Sequence, residues 1–415
     1  MTETARYDRP SSTPAGPATR AQVAPFLAMD VMSEANRLDA QGRDVLHLEI
    51  GQPAAPAPEP VRRAAARVLE TGRVAYTEAL GIPALRARIA RAYGEQYGIE
   101  VDPDRVAVTA GSSSAFQFLF LALFEPGARV GLTRPSYPAY PNIMKALGLR
   151  PVFIETDPAR GHALDPAMLE RAIAGGLDGV LLASPANPTG TVLPAEDLAR
   201  CADLARDAGI PFIVDEIYHG LEHDRSQTGR RTPCALATGT DAIVVNSFSK
   251  YYCMAGWRIG WTVVPPGLTR TIECLAQNLM VAPPTLGQHA ALAAFEPESI
   301  AAYDAVVRDY TRARDRLVDA LPRLGFTDLS RADGAFYVYG GIGRFGMEST
   351  TFCSRLLQDT GLAITPGLDF DDVRGAGTVR FSFAGGAAQA DEAIRRLEQW
   401  CPRQLDPSNT GAVEE

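Results

Sequence analysis

The chain has 415 residues, 46% of them apolar and 21% charged, and a net charge of −9. That length supports a large core and two or three domains, the composition is that of a soluble globular enzyme, and the acidic balance argues against a nucleic-acid partner. Six cysteines (Cys201, Cys234, Cys253, Cys274, Cys353 and Cys401) are scattered without metal-ligand spacing, which fits free thiols in a reducing compartment.

Residues 1–20, rich in Pro, Ala, Ser and Thr, have no apolar core and include Glu3 and Asp8. They read as a flexible arm and not as a leader. A helix is predicted at 21–38. Strand-like runs follow at 106–110, 129–133, 152–155, 179–183, 211–215 and 242–246, with helical patterns at 138–147, 165–174 and 194–208. Strands alternating with helices predict a mainly parallel α/β sheet, buried on both faces, with ligands beyond the carboxyl ends of its strands. The apolar run AFQFLFLALF is too short to span a bilayer and reads as a buried helix, so the expected location is cytoplasmic, away from membranes. A long helix at 297–322, strands at 335–339, 362–365 and 378–383, and a helix near 387–400 predict a smaller α/β domain. The expected division is an arm at 1–20, a small domain from 21–55 and 300–405, a large domain at 56–299 and a tail at 406–415.

Of 40 basic residues only Lys145 and Lys250 are lysines. In a chain that uses Arg for generic surface cations, a retained Lys points to amine chemistry that Arg cannot perform. Lys145 sits in an ordinary helical run. Lys250 closes Ser247-Phe248-Ser249-Lys250 after the buried run AIVVN, and Arg258 follows in GWRIG. Other strand ends are equally polar. VAVTA runs into Gly111-Ser112-Ser113-Ser114, a turn that opens a helix and offers amide groups to an anion. GVLLA runs into SPANPTG, which carries Asn187. PFIVD ends in Asp215, with Tyr218 just beyond. An amine of lowered pKa suits a Schiff base, a buried acid suits a pyridine nitrogen, and Arg, hydroxyls and a helix N-terminus suit a phosphate. Together these point to pyridoxal phosphate.

In SPANPTG, DEIY, SFSK and GWRIG, taken in this order with EIGQP and VRFSF, the chain resembles the fold-type I, class I/II aminotransferases, the aspartate-aminotransferase-like group, from about Gly51 to about Gly386. The resemblance implies a large domain with a mainly parallel, seven-stranded-type sheet between helices, and a smaller α/β domain built from both chain ends. It implies that Lys250 holds pyridoxal phosphate as a Schiff base and shuttles the proton. Asp215 would pair with the ring nitrogen, Tyr218 and Asn187 would bond the ring's phenolic oxygen, and Tyr137 would stack on the ring. Gly111, Ser112, Ser113, Ser247, Ser249 and Arg258 would form the phosphate site. Tyr76 would reach the neighbouring subunit's phosphate, which implies a homodimer with shared sites. Arg380, with Gly51 and Asn187, would bind the substrate. The implied activity moves an amino group from an L-amino acid to a 2-oxo acid by a ping-pong aldimine mechanism.

A lyase or synthase of the β-lyase or aminocyclopropane-carboxylate-synthase kind is the alternative, because it shares these motifs. A regulatory module that senses pyridoxal phosphate is more remote, since about 40 residues precede EIGQP and leave little room for a DNA-binding unit. Ser113 stands where some aspartate-type relatives carry a lysine, which argues against that subtype. Cys253 and Ala255 depart from the Ser/Thr often found in this loop. Tyr137, Phe336 and Tyr337 are candidates for a side-chain pocket, and core packing explains Phe336 equally well. Gly341-Ile342-Gly343-Arg344-Phe345-Gly346 matches a dinucleotide fingerprint but reads as a turn, because too little chain follows for a mononucleotide-binding half. His219 and His223 read as polar fillers beside the site, and no metal is expected.

Overall fold

A computed structural model describes residues 16–223, 231–239 and 241–405. Most of the arm expected at 1–20, and all of the tail at 406–415, lie outside the described residues. Strands β1 (Leu46–His47), β2 (Val106–Thr109), β3 (Arg129–Arg134), β4 (Arg150–Glu155), β5 (Gly179–Ala183), β6 (Phe212–Asp215), β7 (Ile243–Ser247) and β8 (Gly260–Val263) precede the long helix Pro297–Arg323. Strands β9 (Tyr337–Gly341), β10 (Leu362–Ala363), β11 (Thr365–Pro366) and β12 (Thr378–Ser382) follow it.

The large sheet has seven strands in the order β2-β8-β7-β6-β5-β3-β4. Neighbours from β7 through β6, β5 and β3 to β4 pair parallel, while β8 pairs antiparallel with both β2 and β7. Alternation along the strands explains why both faces are buried. Val180, Leu182, Val214 and Val244 enter one apolar cluster, while Leu181, Ile213 and Val245 enter the other. Successive side chains point to opposite faces, so a strand covered on both sides reads as a continuous apolar run. Burying each such side chain contributes roughly 1.5–3 kcal/mol.

The smaller sheet has the order β11-β12-β9, all antiparallel, and β1 pairs parallel with β10. A segment from near the start of the described chain thus pairs with one more than 300 residues later, Leu46 with Leu362. The fold is α/β, with a large, mostly parallel central sheet and a smaller sheet domain.

Three expectations shift. The first helix begins at Leu27, not near 21. Pro25 disfavours helical backbone at the residue before it, and the Asp369 carboxylate caps the helix by accepting the amides of Leu27 (2.8 Å) and Ala28 (3.2 Å). The run at 362–365 divides at Ile364 into β10 and β11, which serve different sheets. Strand β8 was not predicted. The glycine-rich run after β9 is a 3₁₀ turn, Gly343–Phe345, and β9 pairs antiparallel with β12, so no parallel mononucleotide unit exists there. Among the described residues no helix is long and apolar enough to cross a membrane.

Candidate active site

Strand β8 explains the position of one cation. Because it runs against its neighbours, its first residue, Gly260, pairs with Thr109 and Ser247, the last residues of β2 and β7. Arg258, two residues earlier, is thereby delivered to the carboxyl rim of the sheet beside Ser112 and Lys250. The approach is too close for any other residue at two positions. A Cβ at Gly260 would lie 2.7 Å from the Gly111 carbonyl carbon and 2.8 Å from the Ser112 nitrogen. A Cβ at Gly111, whose φ is +75°, would collide with the Arg258 guanidinium.

Gly111 caps the apolar helix Ser112–Leu123, and no side chain caps its first amides. Those amides, the hydroxyls of Ser112, Ser113 and Ser249, and Arg258 form a donor-rich cradle at one end of a cleft. The donor set suits a dianionic phosphate.

Lys250 and Asp215 occupy the middle of the cleft. Lys250 Nζ donates to the Gly51 carbonyl at 2.5 Å. Burial, then the nearby charges of Arg380 and Arg258, pull its amine down to about 8, against the opposing charge of Asp215. Asp215 is buried at the end of β6. It accepts the Ile217 amide at 3.0 Å and the Tyr140 hydroxyl. Burial pushes its carboxyl up to about 6, while those two donors pull it back.

The far end belongs to the smaller sheet. Arg380, on the central strand β12, is 2% exposed and stacks between the rings of Tyr337 (4.4 Å) and Phe370 (4.7 Å). It donates to Asn187 Oδ1 (2.9 Å), to Thr365 Oγ1 (3.1 Å) and to the Glu49 carbonyl (2.5 Å). These are all neutral acceptors, and its Nε has no hydrogen-bond partner among the described residues. The Tyr218 and Tyr337 hydroxyls meet at 2.8 Å. Gly51 is confined by Tyr337, whose hydroxyl a Cβ there would overlap.

The cleft therefore gathers Gly51, Ser112, Ser113, Tyr137, Asn187, Asp215, Tyr218, Ser249, Lys250, Arg258 and Arg380. Ser247 lies behind it, not on its surface. Its hydroxyl donates to the Ile259 carbonyl (2.9 Å), and its oxygen accepts the Ser249 amide (3.0 Å) and lies 2.8 Å from Ser249 Oγ, so it supports Ser249 from within. Tyr76 is 85% exposed and away from the cleft of its own chain. Phe336 is fully buried against Tyr218 and Tyr310, in the core and not in the pocket. His219 meets the Tyr97 hydroxyl (2.7 Å), and His223 donates through Nε2 to the Ala335 carbonyl (2.7 Å). No group of three metal-ligating side chains occurs among the described residues.

Sequence reasoning missed Tyr140, Phe26, Met29 and Thr365. Tyr140 had a signal, since it stands three residues beyond Tyr137, a spacing that puts two side chains on one helical face. Phe26 and Met29 had none, because nothing local says that the first helix reaches the cleft.

Comparison with known proteins agrees with this geometry. Residues 43–397 match the family Aminotransferase class I and II. The chain belongs to the class I and II aminotransferases. It is 47% identical to a valine–pyruvate aminotransferase of Mycobacterium tuberculosis over 387 residues, which cover 93% of this chain and 99% of that one. The crystal structure of an aminotransferase from Mycobacterium tuberculosis superposes with a TM-score of 0.90 at 47% identity, covering 94% of this chain and 99% of that one. Aspartate aminotransferase from Thermus thermophilus with maleate gives 0.86 at 31% identity, covering 93% and 99%. The family uses pyridoxal phosphate, and this aminotransferase moves an amino group between an amino acid and a 2-oxo acid.

Proposed function

We propose that this aminotransferase uses pyridoxal phosphate bound through Lys250, and that it acts on amino acids with apolar side chains. The observation that carries the reading is the placement of a Lys of lowered pKa in one cleft with a buried carboxylate, Asp215, and a buried guanidinium, Arg380. The residues fit the cofactor. The helix Ser112–Leu123, Ser112, Ser113, Ser249 and Arg258 would hold the phosphate. Asp215 would face the ring nitrogen, Tyr137 the ring, and Tyr218 and Asn187 its oxygen.

When bound, pyridoxal phosphate supplies a sink for the electrons of the substrate's broken Cα–H bond. The chain's residues do the rest. Arg380 binds the α-carboxylate bidentately, a fork that Lys cannot reproduce. Lys250 Nζ, neutral in a larger fraction than an exposed lysine, takes the α-proton and returns one. Asp215 holds a proton on the ring nitrogen. Amino acid and 2-oxo acid use the cleft in turn, which makes the kinetics ping-pong.

Side-chain choice follows from what remains. Arg258 is committed to the Gly111 cradle and Arg380 to the α-carboxylate, and the rest of the wall includes Phe26, Met29, Ile50, Ile217 and Tyr337. The named substrates of the Mycobacterium tuberculosis relative, valine and pyruvate, support an apolar donor and a small oxo acid. A half-reaction screen tests this: holoprotein mixed with single amino acids should release 2-oxo acid fastest from valine, alanine and leucine. Faster release from aspartate or glutamate would overturn the apolar assignment.

Residues 21–55 and 300–405 are read as the small domain and 56–299 as the large one, in a cytoplasmic homodimer. The exposed Tyr76, with exposed Val74, Leu279 and Val281, supports a partner at that face. The loop is tied down by Thr285 Oγ1 to the Ala75 carbonyl (2.6 Å) and by Gln288 Nε2 to Thr77 Oγ1 (2.9 Å).

A further inference from the structure

We infer that Tyr140 is a positioning residue, one that holds the Asp215 carboxylate ionised and aimed into the cleft through the hydrogen bond from its hydroxyl. The inference rests on the reading of Asp215 as the partner of the cofactor's ring nitrogen.

The geometry singles out this tyrosine. Asp215 closes β6 with its side chain buried, where a carboxylate without donors is held neutral. It accepts two hydrogen bonds. One comes from the backbone amide of Ile217, which no substitution of side chain removes. The other, from Tyr140, is its only side-chain donor among the described residues. Tyr140 is itself buried on the helix Ala139–Ala146, wedged edge-on between Tyr137 (5.3 Å, 81°) and Phe116 (5.1 Å, 68°). Both contacts fix the ring, so the hydroxyl has one direction to point.

The other ionisable groups around Asp215 do not substitute for this bond. Lys250 favours the ionised form by charge, but in the working enzyme its amine is engaged with cofactor and substrate. Glu216 opposes ionisation and is turned away, bound to the Ala235 amide (2.6 Å) and the Cys234 thiol (3.4 Å). Tyr137 and Tyr218 are held neutral by burial, and among the described residues neither donates to the carboxylate, the Tyr218 hydroxyl meeting that of Tyr337 instead. Loss of the Tyr140 hydroxyl therefore leaves Asp215 more basic. A proton held between Asp215 and the ring nitrogen of the bound cofactor would then lie closer to Asp215, and the electron sink would be weaker.

The test uses Tyr140→Phe. In the cofactor-free protein, the Asp215 ionisation midpoint, read by infrared difference against Asp215→Asn, should rise by about one pH unit, a tenfold change in the equilibrium. In the holoprotein, kcat should fall about tenfold with KM for the amino acid unchanged, and the pH midpoint of the bound cofactor's absorbance should move. In the Asp215→Asn background the same substitution should add nothing, because its effect passes through the carboxylate. Placing 3-fluorotyrosine at position 140 keeps the ring's shape and strengthens the donor, so it should lower the Asp215 midpoint; it also serves if Tyr140→Phe does not fold. An unchanged Asp215 midpoint in either variant, or additive losses in the double variant, would overturn the inference for Tyr140. A cofactor that binds normally to Asp215→Asn, with full kcat, would instead overturn the reading of Asp215 itself.

Discussion

At the floor of the cleft, Asp215, Lys250 and Arg258 emerge within a few residues of strand ends in one sheet. The roof is assembled from Phe26, Gly51, Tyr337 and Arg380, which come from distant parts of the chain and meet through the smaller sheet and the first helix. A single sheet with both faces buried sets relative positions tightly, so the floor suits a group that never changes. The roof can accommodate different side chains because its parts are joined mainly by hydrogen bonds and ring contacts. On the proposed reading, cofactor and substrate are recognised mainly by different structural units, which touch where Lys250 Nζ donates to the Gly51 carbonyl, Arg380 to Asn187 and Tyr218 meets Tyr337.

Substitutions in floor and roof separate the contributions of the two. Lys250→Ala removes the floor's proton carrier, and 2-oxo acid release in the half-reaction should fall by about 10³-fold or more. Arg380→Lys leaves the floor intact. The absorbance of bound cofactor should be unchanged, while kcat/KM falls about 100-fold, in line with the 2–5 kcal/mol typical of a buried charge pair that loses its geometry. A loss of cofactor in that variant would show that the two units are not separable.

The Lys250 amine reports on their coupling. Its reactive form is neutral, and its pKa lies below the ordinary lysine value at about 8. Capture of pyridoxal phosphate by the cofactor-free protein, followed by stopped-flow absorbance, should accelerate as pH rises through about 8 and then level off. Because the Arg380 charge contributes to that shift, Arg380→Met should move the midpoint upward. Tyr337→Phe is the mildest change. It removes the hydroxyl contact with Tyr218, a bond worth about 0.5–1.5 kcal/mol, and should alter kcat/KM about two- to tenfold without changing the cofactor's absorbance.

Asp215 and Lys250 were legible in the sequence because they stand at or just past the end of a buried apolar strand, so local pattern and position coincide. Lys250 stood out further as one of two lysines. Strand β8 escaped because its first residue, Gly260, closes the motif that carries Arg258, and nothing in its four residues announces a reversed direction. The inward turn of the Ser247 hydroxyl was not legible, because strand-end position says nothing of which way a hydroxyl turns. At the roof, Arg380 was reachable only through family resemblance. Phe26, Met29 and Thr365 were not, since their approach depends on pairings such as Leu46 with Leu362 that no local pattern encodes.

The neutral hydrogen-bond acceptors of the Arg380 guanidinium carry a thermodynamic consequence. A buried guanidinium with no directly paired carboxylate among the described residues is electrostatically incomplete, and a small carboxylic acid completes it. Binding to the folded state alone raises stability by mass action. Pyruvate and similar acids should therefore raise the melting temperature even though they carry no amino group. The protein's lifetime in a cell would then follow the abundance of the metabolites it converts.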